Sequence, residues 1–309
     1  MQVDVLEAPR AAVEPGTVEA SIGNTPLLRL RLLDAGLREG VQVFAKAEHL
    51  NPGGSVKDRA ALSMILEGER SGKLKPGMTI LDATSGNTGI AYSMIGASRG
   101  YAVKVCLPKN ASLPRKRILR SYGAEIIETD PMLLTDGAQL VAREIFINDP
   151  DKYFYPDKYN NDANWLALYE TTANEIWEQT NGRITHFVTG LGTTGTFVGV
   201  VRRLRELNPK LKAVAVQPES PLNGIEGLKH MATAIVPGIY DQSLVSETLE
   251  VTTEDALLMT GKLAREEGLL VGPSSGANVF AAGWVGSSLR EPAVVVTVLC
   301  DGGERYLAD

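Results

Sequence analysis

The chain is poor in the residues that build metal centres and disulfide frameworks. It holds 2 cysteines, Cys106 and Cys300, and 3 histidines, His49, His186 and His230. None of these stand at ligand spacing, so neither a structural zinc site nor a disulfide is expected. Both cysteines close apolar, strand-like runs (residues 103–106 and 294–300), which reads as buried, reduced thiols in a cytoplasmic protein. Positive charge is not in excess: a net charge of -6 leaves no basic face for nucleic acid or an anionic membrane. No run approaches the roughly 20 apolar residues of a membrane span. The N-terminal stretch carries Asp4, Glu7, Glu14 and Glu19 without an apolar segment, so no signal peptide is expected. Tandem repeats, low-complexity segments and Ser- or Pro-rich linkers are missing as well.

What the chain does have is glycine, 31 of 309 residues, and enough apolar side chains, 44%, for two domains with sizeable cores. Its patterning alternates. A strand over residues 43–47 precedes a helix after Lys57, then come a strand at 79–84, a helix at 90–99 ended by Gly100, and a strand at 102–107. Ser112, Pro114 and Gly123 frame the next helix, before a strand at 124–129 and a helix at 136–147. A second series follows: a helix at 165–180, a strand at 184–189, a helix with Phe197, Val200, Val201 and Leu204 on one face, and a strand at 214–216. Thr252 and Asp255 form a capping-box start for a helix to Glu267, and the nearly all-apolar run at 294–299 reads as a buried central strand. This alternation predicts an α/β fold, parallel sheets covered by helices on both faces, in two domains around a cleft.

Four loops carry chemistry. In Asn51-Pro-Gly-Gly-Ser-Val-Lys57, a glycine turn delivers Lys57 to the first turn of a helix, where the positive end of the dipole favours an amine acting as nucleophile over an ammonium. On this stretch alone a solvated surface lysine is the alternative. Gly190, Gly192 and Gly195 occupy G-x-G-x-x-G positions between a strand and a helix. The loop does not open its domain, however, and the acidic candidate Glu219 follows a proline at the wrong end of the next strand. With Thr193, Thr194 and Thr196 interleaved, it suits a single phosphate better than a pyrophosphate. Thr84-Ser-Gly-Asn-Thr-Gly89 also joins strand to helix and suits a carboxylate or a phosphate, or simply an N-cap by Ser85 or Asn87. Gly272-Pro-Ser-Ser-Gly276 is the fourth, with a plain N-cap as its bland account.

Together, and in order from Gly23-Asn-Thr-Pro26 to Cys300-Asp301 and Gly303-Glu-Arg-Tyr306, these segments resemble the cysteine synthase (O-acetylserine/O-phosphoserine sulfhydrylase) family of fold type II pyridoxal phosphate enzymes. The resemblance implies a tryptophan synthase β-like fold: two three-layer αβα domains with mostly parallel twisted sheets. Residues 48–156 would form the smaller one, with Lys57 and the 84–89 loop, and residues 1–47 plus 157–309 the larger one, with the threonine loop and Ser274. The cofactor implied is pyridoxal 5'-phosphate, with Lys57 as Schiff-base partner and, once displaced, as the base that removes the substrate α proton. Asn87 would hydrogen-bond the phenolic oxygen, Gly192, Thr193, Thr194, Gly195 and Thr196 would bind the phosphate, and Ser274 would face the pyridine nitrogen. A neutral serine there does not keep that nitrogen protonated, which favours β-elimination over transamination. Thr84, Ser85 and Thr88 would hold the substrate carboxylate. The implied reaction is ping-pong: an activated L-serine loses acetate or phosphate to give an aminoacrylate, and sulfide or another sulfur donor adds to form L-cysteine. A cytoplasmic homodimer is implied too.

The chain departs from the family pattern at several positions. Asn161-Asp-Ala-Asn164 replaces Asn-Pro-Ala-Asn, Leu168 stands where a histidine is frequent, and Thr172-Ala-Asn-Glu175 replaces Thr-Gly-Pro-Glu, so that Ala173 could narrow the cleft. Lys158 takes the place of a glutamine near the substrate carboxylate, and Lys229, beside His230, follows a segment that contributes an arginine in phosphoserine-using relatives. Both are further substrate-binding candidates, with an exposed strand-end lysine as the plain reading of Lys158. A cystathionine β-synthase-like or serine/threonine dehydratase reaction is the enzymatic alternative, although a chain ending at Asp309 carries no appended regulatory domain of the allosteric members. A cofactor-binding or regulatory homologue without turnover is the alternative of another class, and a nicotinamide dehydrogenase a third.

Overall fold

The computed structural model describes residues 12–84 and 86–307. In chain order the elements are β1 (Leu27–Arg29), β2 (Val41–Lys46), α1 (Lys57–Arg70), β3 (Thr79–Ala83), α2 (Asn87–Arg99), β4 (Ala102–Pro108), α3 (Leu113–Ser121), β5 (Glu125–Thr129), α4 (Leu134–Asn148) and β6 (Tyr153–Phe154). They continue with α5 (Asp162–Glu170), α6 (Thr172–Gln179), β7 (His186–Gly190), α7 (Gly195–Leu207), β8 (Lys212–Pro218), β9 (Glu247–Val251), α8 (Thr253–Glu267), α9 (Pro273–Ser288) and β10 (Ala293–Val298). They fall into two compact units. One is Lys57–Ala163 with the described residues up to Ile22, and the other is Gly23–Val56 with the chain from Asn164 onward.

In the first unit four strands pair in the order β5-β4-β3-β6, every neighbour parallel. Side chains alternate along β3: Leu81 and Ala83 pack with Ala138 and Ala142 of α4, while Ile80 and Asp82 point the other way, where Tyr92 of α2 lies buried beside Asp82. Helices therefore cover both faces, which requires the long apolar strands that the sequence supplies. Gly100, at φ +79°, closes α2 in the left-handed conformation that a glycine adopts without a Cβ penalty.

In the second unit six strands pair in the order β1-β2-β10-β7-β8-β9, parallel except for β1 against β2. β10 lies inside this sheet and all six of its residues are buried. Val43, Val188, Val214, Val216 and Val295 pack with Ala277, Ala281 and Val285 of α9 in one core, each such valine contributing about 1.5 kcal/mol or more on burial. The capping box forms: the Asp255 N–H donates to Thr252 Oγ1 at 3.0 Å, and the Thr252 hydroxyl donates to Asp255 Oδ2 at 2.9 Å. The helix expected over 165–180 is two helices, α5 and α6, with the break at Thr171, whose dihedrals (φ -115°, ψ -77°) are distorted from those of a regular helix. Cys106 is buried, as expected, and burial beside Asp82 pushes its thiol up to about 11. Cys300 differs from expectation: the strand ends at Val298, and the thiol beyond it is partly exposed. No helix among the described residues is long and apolar enough to cross a membrane.

Candidate active site

The glycine turn before Lys57 is fixed from behind within its own unit. Ser55 bridges to Asp301, the Val56 N–H donates to the Cys300 carbonyl at 2.8 Å, and the Gly302 N–H donates to the Gly54 carbonyl at 3.2 Å. Arg305, buried, donates through Nη2 to the Gly53 carbonyl at 3.0 Å. Gly54 has to be glycine on two counts: its φ is +78°, and a Cβ there would lie 2.3 Å from the same guanidinium nitrogen. At the other end of the turn, the Asn51 side chain accepts from the Gly23 N–H at 2.9 Å and donates to Glu48 Oε2 at 2.8 Å. Glu48 in turn accepts from the Thr25 hydroxyl at 2.7 Å. The segment Gly23-Asn-Thr-Pro26 thus braces the turn. His49, half-buried beside it, has its pKa lowered by burial against the pull of the Glu304, Asp301 and Glu48 carboxylates. Lys57, half-buried, is the first residue of α1.

In the first unit, β3 runs directly into the second loop. Thr84 is buried; its N–H donates to the Cys106 carbonyl at 3.0 Å, and its Oγ1 accepts from the Gly86 and Gly89 N–H groups at 3.2 and 3.3 Å. The hydroxyl that shapes this loop is therefore Thr84, where the sequence suggested Ser85 or Asn87 as the cap; Ser85 lies outside the described residues. A Cβ at Gly86 would lie 2.7 Å from Arg115 Cδ, and one at Gly89 would lie 2.6 Å from Thr84 Cγ2, so a side chain at either position would displace its neighbour. Asn87 and Thr88 open α2, where helix amides lack intrahelical acceptors and suit an anion.

Lys158 is not an exposed strand-end residue. It is buried in the first unit, with Nζ 3.1 Å from Asp82 Oδ2, and it also donates to the Ala83 carbonyl. Burial holds the Asp82 carboxyl above its usual range, with Lys158 opposing that shift.

The threonine loop of the second unit leaves the carboxyl end of β7 and enters α7. Its backbone is fixed on both sides, since the Leu191 N–H donates to the Val216 carbonyl at 2.9 Å and the Leu191 carbonyl accepts from the Lys229 N–H at 2.7 Å. A Cβ at Gly192 would sit 2.3 Å from the Gly227 carbonyl oxygen, and one at Gly195 would sit 2.1 Å from Asn164 Oδ1. Thr194 adopts φ +69°, a conformation that threonine avoids, and its buried Oγ1 has no hydrogen-bond partner in the protein. An orphaned hydroxyl beside the first amides of α7, in a backbone cradle with no room for side chains, fits a phosphate group. Thr193 and Thr196 flank it, both half-buried.

Ser274 is buried in the first turn of α9, after Gly272 and Pro273. The next residue ties that turn to the end of β10, Ser275 Oγ accepting from the Cys300 N–H at 2.8 Å. Because β7 and β10 are neighbours in the sheet, the threonine loop and Ser274 share the carboxyl end of two adjacent parallel strands, where α/β sheets bind ligands. Lys229 and His230, both half-buried, lie on the segment whose backbone caps the threonine loop. Sequence reading missed Asp82, Arg115 and Asn164. Only Asp82 left a signal, a carboxylate inside an otherwise apolar strand.

The departures at 168 and 173–174 settle into the second unit's packing. Ala173 is fully buried in α6, and Asn174 beside it accepts from Arg203 Nε at 2.9 Å. Glu175 pairs with the buried Lys46 at 2.6 Å. Leu168 is buried in α5.

The sequence pattern of the family described as "Pyridoxal-phosphate dependent enzyme" matches residues 18–301. The cysteine synthase of Aquifex aeolicus is 48% identical over 295 residues, covering 94% of this chain and 90% of that protein. Cysteine synthase B of Escherichia coli is 45% identical over 292 residues, 94% of each chain. Among solved structures, O-ureido-L-serine synthase superposes with a TM-score of 0.89 at 37% identity, covering 95% of this chain and 94% of that one.

Proposed function

The chain belongs to the pyridoxal-phosphate dependent enzymes, and we propose that within them it makes L-cysteine by β-replacement, exchanging the leaving group of O-acetyl-L-serine or O-phospho-L-serine for sulfide. The threonine loop carries this reading: the buried Thr194 hydroxyl lacks a protein partner and stands beside the first amides of α7. The names of the cysteine synthase relatives support the choice of reaction.

When bound, pyridoxal phosphate supplies an aldehyde for amine capture and an electron sink. Lys57 would supply the amine that holds the aldehyde, and its Nζ would serve as the base for the substrate α proton. Gly192, Thr193, Thr194, Gly195 and Thr196 hold the phosphate. The Asn87 amide would hydrogen-bond the phenolic oxygen. Ser274 would offer the ring nitrogen a neutral hydroxyl, a partner that does not keep that nitrogen protonated and so favours loss of a β substituent. Thr88 and the amides of the loop shaped by Thr84 orient the substrate α-carboxylate, and Lys229 is a candidate contact for a phosphorylated leaving group. We further propose a cytoplasmic homodimer, as the family resemblance implies; sedimentation equilibrium tests the dimer.

The test of function is direct. The purified, cofactor-loaded protein is given O-acetyl-L-serine or O-phospho-L-serine together with sulfide, and L-cysteine is quantified. Formation from either donor supports the reading and identifies the donor; none from both rejects it.

A further inference from the structure

We propose that Lys158 is a positioning residue, whose ammonium locks the step from Asp82 to Ala83 and so sets the direction of the loop that Thr84 shapes. The inference rests on the reading of that loop as the receptor for the substrate α-carboxylate.

Asp82 lies in a strand where Ile80, Leu81 and Ala83 are fully buried, and it is itself 2% exposed. A carboxylate there needs a partner, since an unpaired buried charge is strongly unfavourable. Lys158 is that partner at 3.1 Å, and its side chain is 4% exposed. The same ammonium donates to the Ala83 carbonyl, while Asp82 Oδ1 accepts from the Ala83 N–H at 2.7 Å. Both ends of Ala83 are thus tied to one ion pair. The next residue is Thr84, with its N–H on Cys106 and its hydroxyl on the amides of Gly86 and Gly89. Hydrogen bonds and the single peptide link from Ala83 to Thr84 thus lead from Lys158 to the loop amides.

Two of the ammonium's three donors are directed at Asp82 and Ala83, so turning it toward a substrate carboxylate loosens its hold on the loop. To reach one it would leave Asp82 charged and buried, next to the phenols of Tyr92, Tyr155 and Tyr159 and the carboxylate of Asp157. Residues 158 and 82 are 76 positions apart, and the ion pair fixes where the segment between β6 and α5 crosses the end of β3.

The experiment compares wild type, Lys158→Met and the double variant Lys158→Met/Asp82→Asn, all loaded with cofactor. Amide hydrogen exchange is followed by mass spectrometry, and KM and kcat are measured for O-acetyl-L-serine. The double variant removes the unpaired buried carboxylate, so it folds even if the single variant does not, yet it still lacks the bond to the Ala83 carbonyl. The expected result is exchange at residues 86–89 faster by roughly tenfold in the variants, with residues 195–204 unchanged. KM for O-acetyl-L-serine should rise by roughly tenfold while kcat and the KM for sulfide stay within about threefold of wild type. A raised KM with unchanged exchange at 86–89 would place Lys158 on the substrate and overturn the proposal; so would wild-type values of both. If the wild type itself makes no L-cysteine, the functional reading fails, while the exchange measurement still decides whether Lys158 holds the loop.

Discussion

Replacing Gly192 by alanine tests the proposed phosphate cradle where it packs against backbone. The new Cβ would lie 2.3 Å from the Gly227 carbonyl oxygen, a backbone atom that no rotamer change can move aside. To regain ordinary van der Waals contact, either the threonine loop or the segment around Gly227 must retreat by roughly 1 Å. That segment is also fastened through the Lys229 N–H to the Leu191 carbonyl at 2.7 Å, so retreat stretches the bond that fixes the loop. Overpacking of this kind costs about 1–3 kcal/mol. If the strain is relieved by opening the cradle, cofactor affinity absorbs it, on the order of ten- to a hundredfold at about 1.4 kcal/mol per factor of ten. The assay is titration of the cofactor-free protein with pyridoxal phosphate, followed by visible absorbance and by competition with inorganic phosphate. Gly36→Ala is the control, because a Cβ at that exposed glycine meets nothing within 4 Å. Wild-type affinity and stability in Gly192→Ala would refute the cradle as drawn.

Three further predictions concern single groups. Lys57→Ala should lower L-cysteine formation by several orders of magnitude, the scale of a lost nucleophile, and a rate near wild type would remove Lys57 from the chemistry. Thr194→Gly gives up a hydroxyl that has no protein partner and relieves φ +69°; unfolding stability should rise by about 1 kcal/mol while phosphate affinity falls by roughly tenfold, and a loss of both would show that the hydroxyl has a structural role. Glu19 is held below the usual carboxylate value of 4.5: burial works against ionisation, but the Ser98 hydroxyl and the Arg99 guanidinium outweigh it. Its stabilisation is present above that value and lost as pH falls through the lowered one. The gap in thermal midpoint between wild type and Glu19→Gln should therefore be widest above pH 4.5 and close in acid; a gap independent of pH would contradict this.

How much was legible in the chain depended on how local each determinant is. The box between Thr252 and Asp255 needs only three residues of separation and formed as read. The apolar run into β10 announced a strand buried on both faces. β9 was silent because it is an edge strand, with only Val251 buried, and β6 because it is two residues long. The break at Thr171 left no trace, since helical periodicity continues on either side. Site residues that act through their own backbone turn, such as Gly54 and Gly192, were visible as glycines between strand and helix. Lys158 stood out as a departure, but its burial against Asp82 did not, because that partner is 76 residues away and nothing in the flanking sequence distinguishes a buried cation from a solvated one.

The clamp of Arg305 on Gly53 also sets a schedule. A growing chain exposes the turn before Lys57 early, but the guanidinium that holds it is 252 residues downstream, and the strand end it leans on is made only shortly before. Until Arg305 is made, the turn before Lys57 has only the brace of residues 23–26 behind it, so synthesis of the segment around Arg305 sets when the turn acquires its second hold.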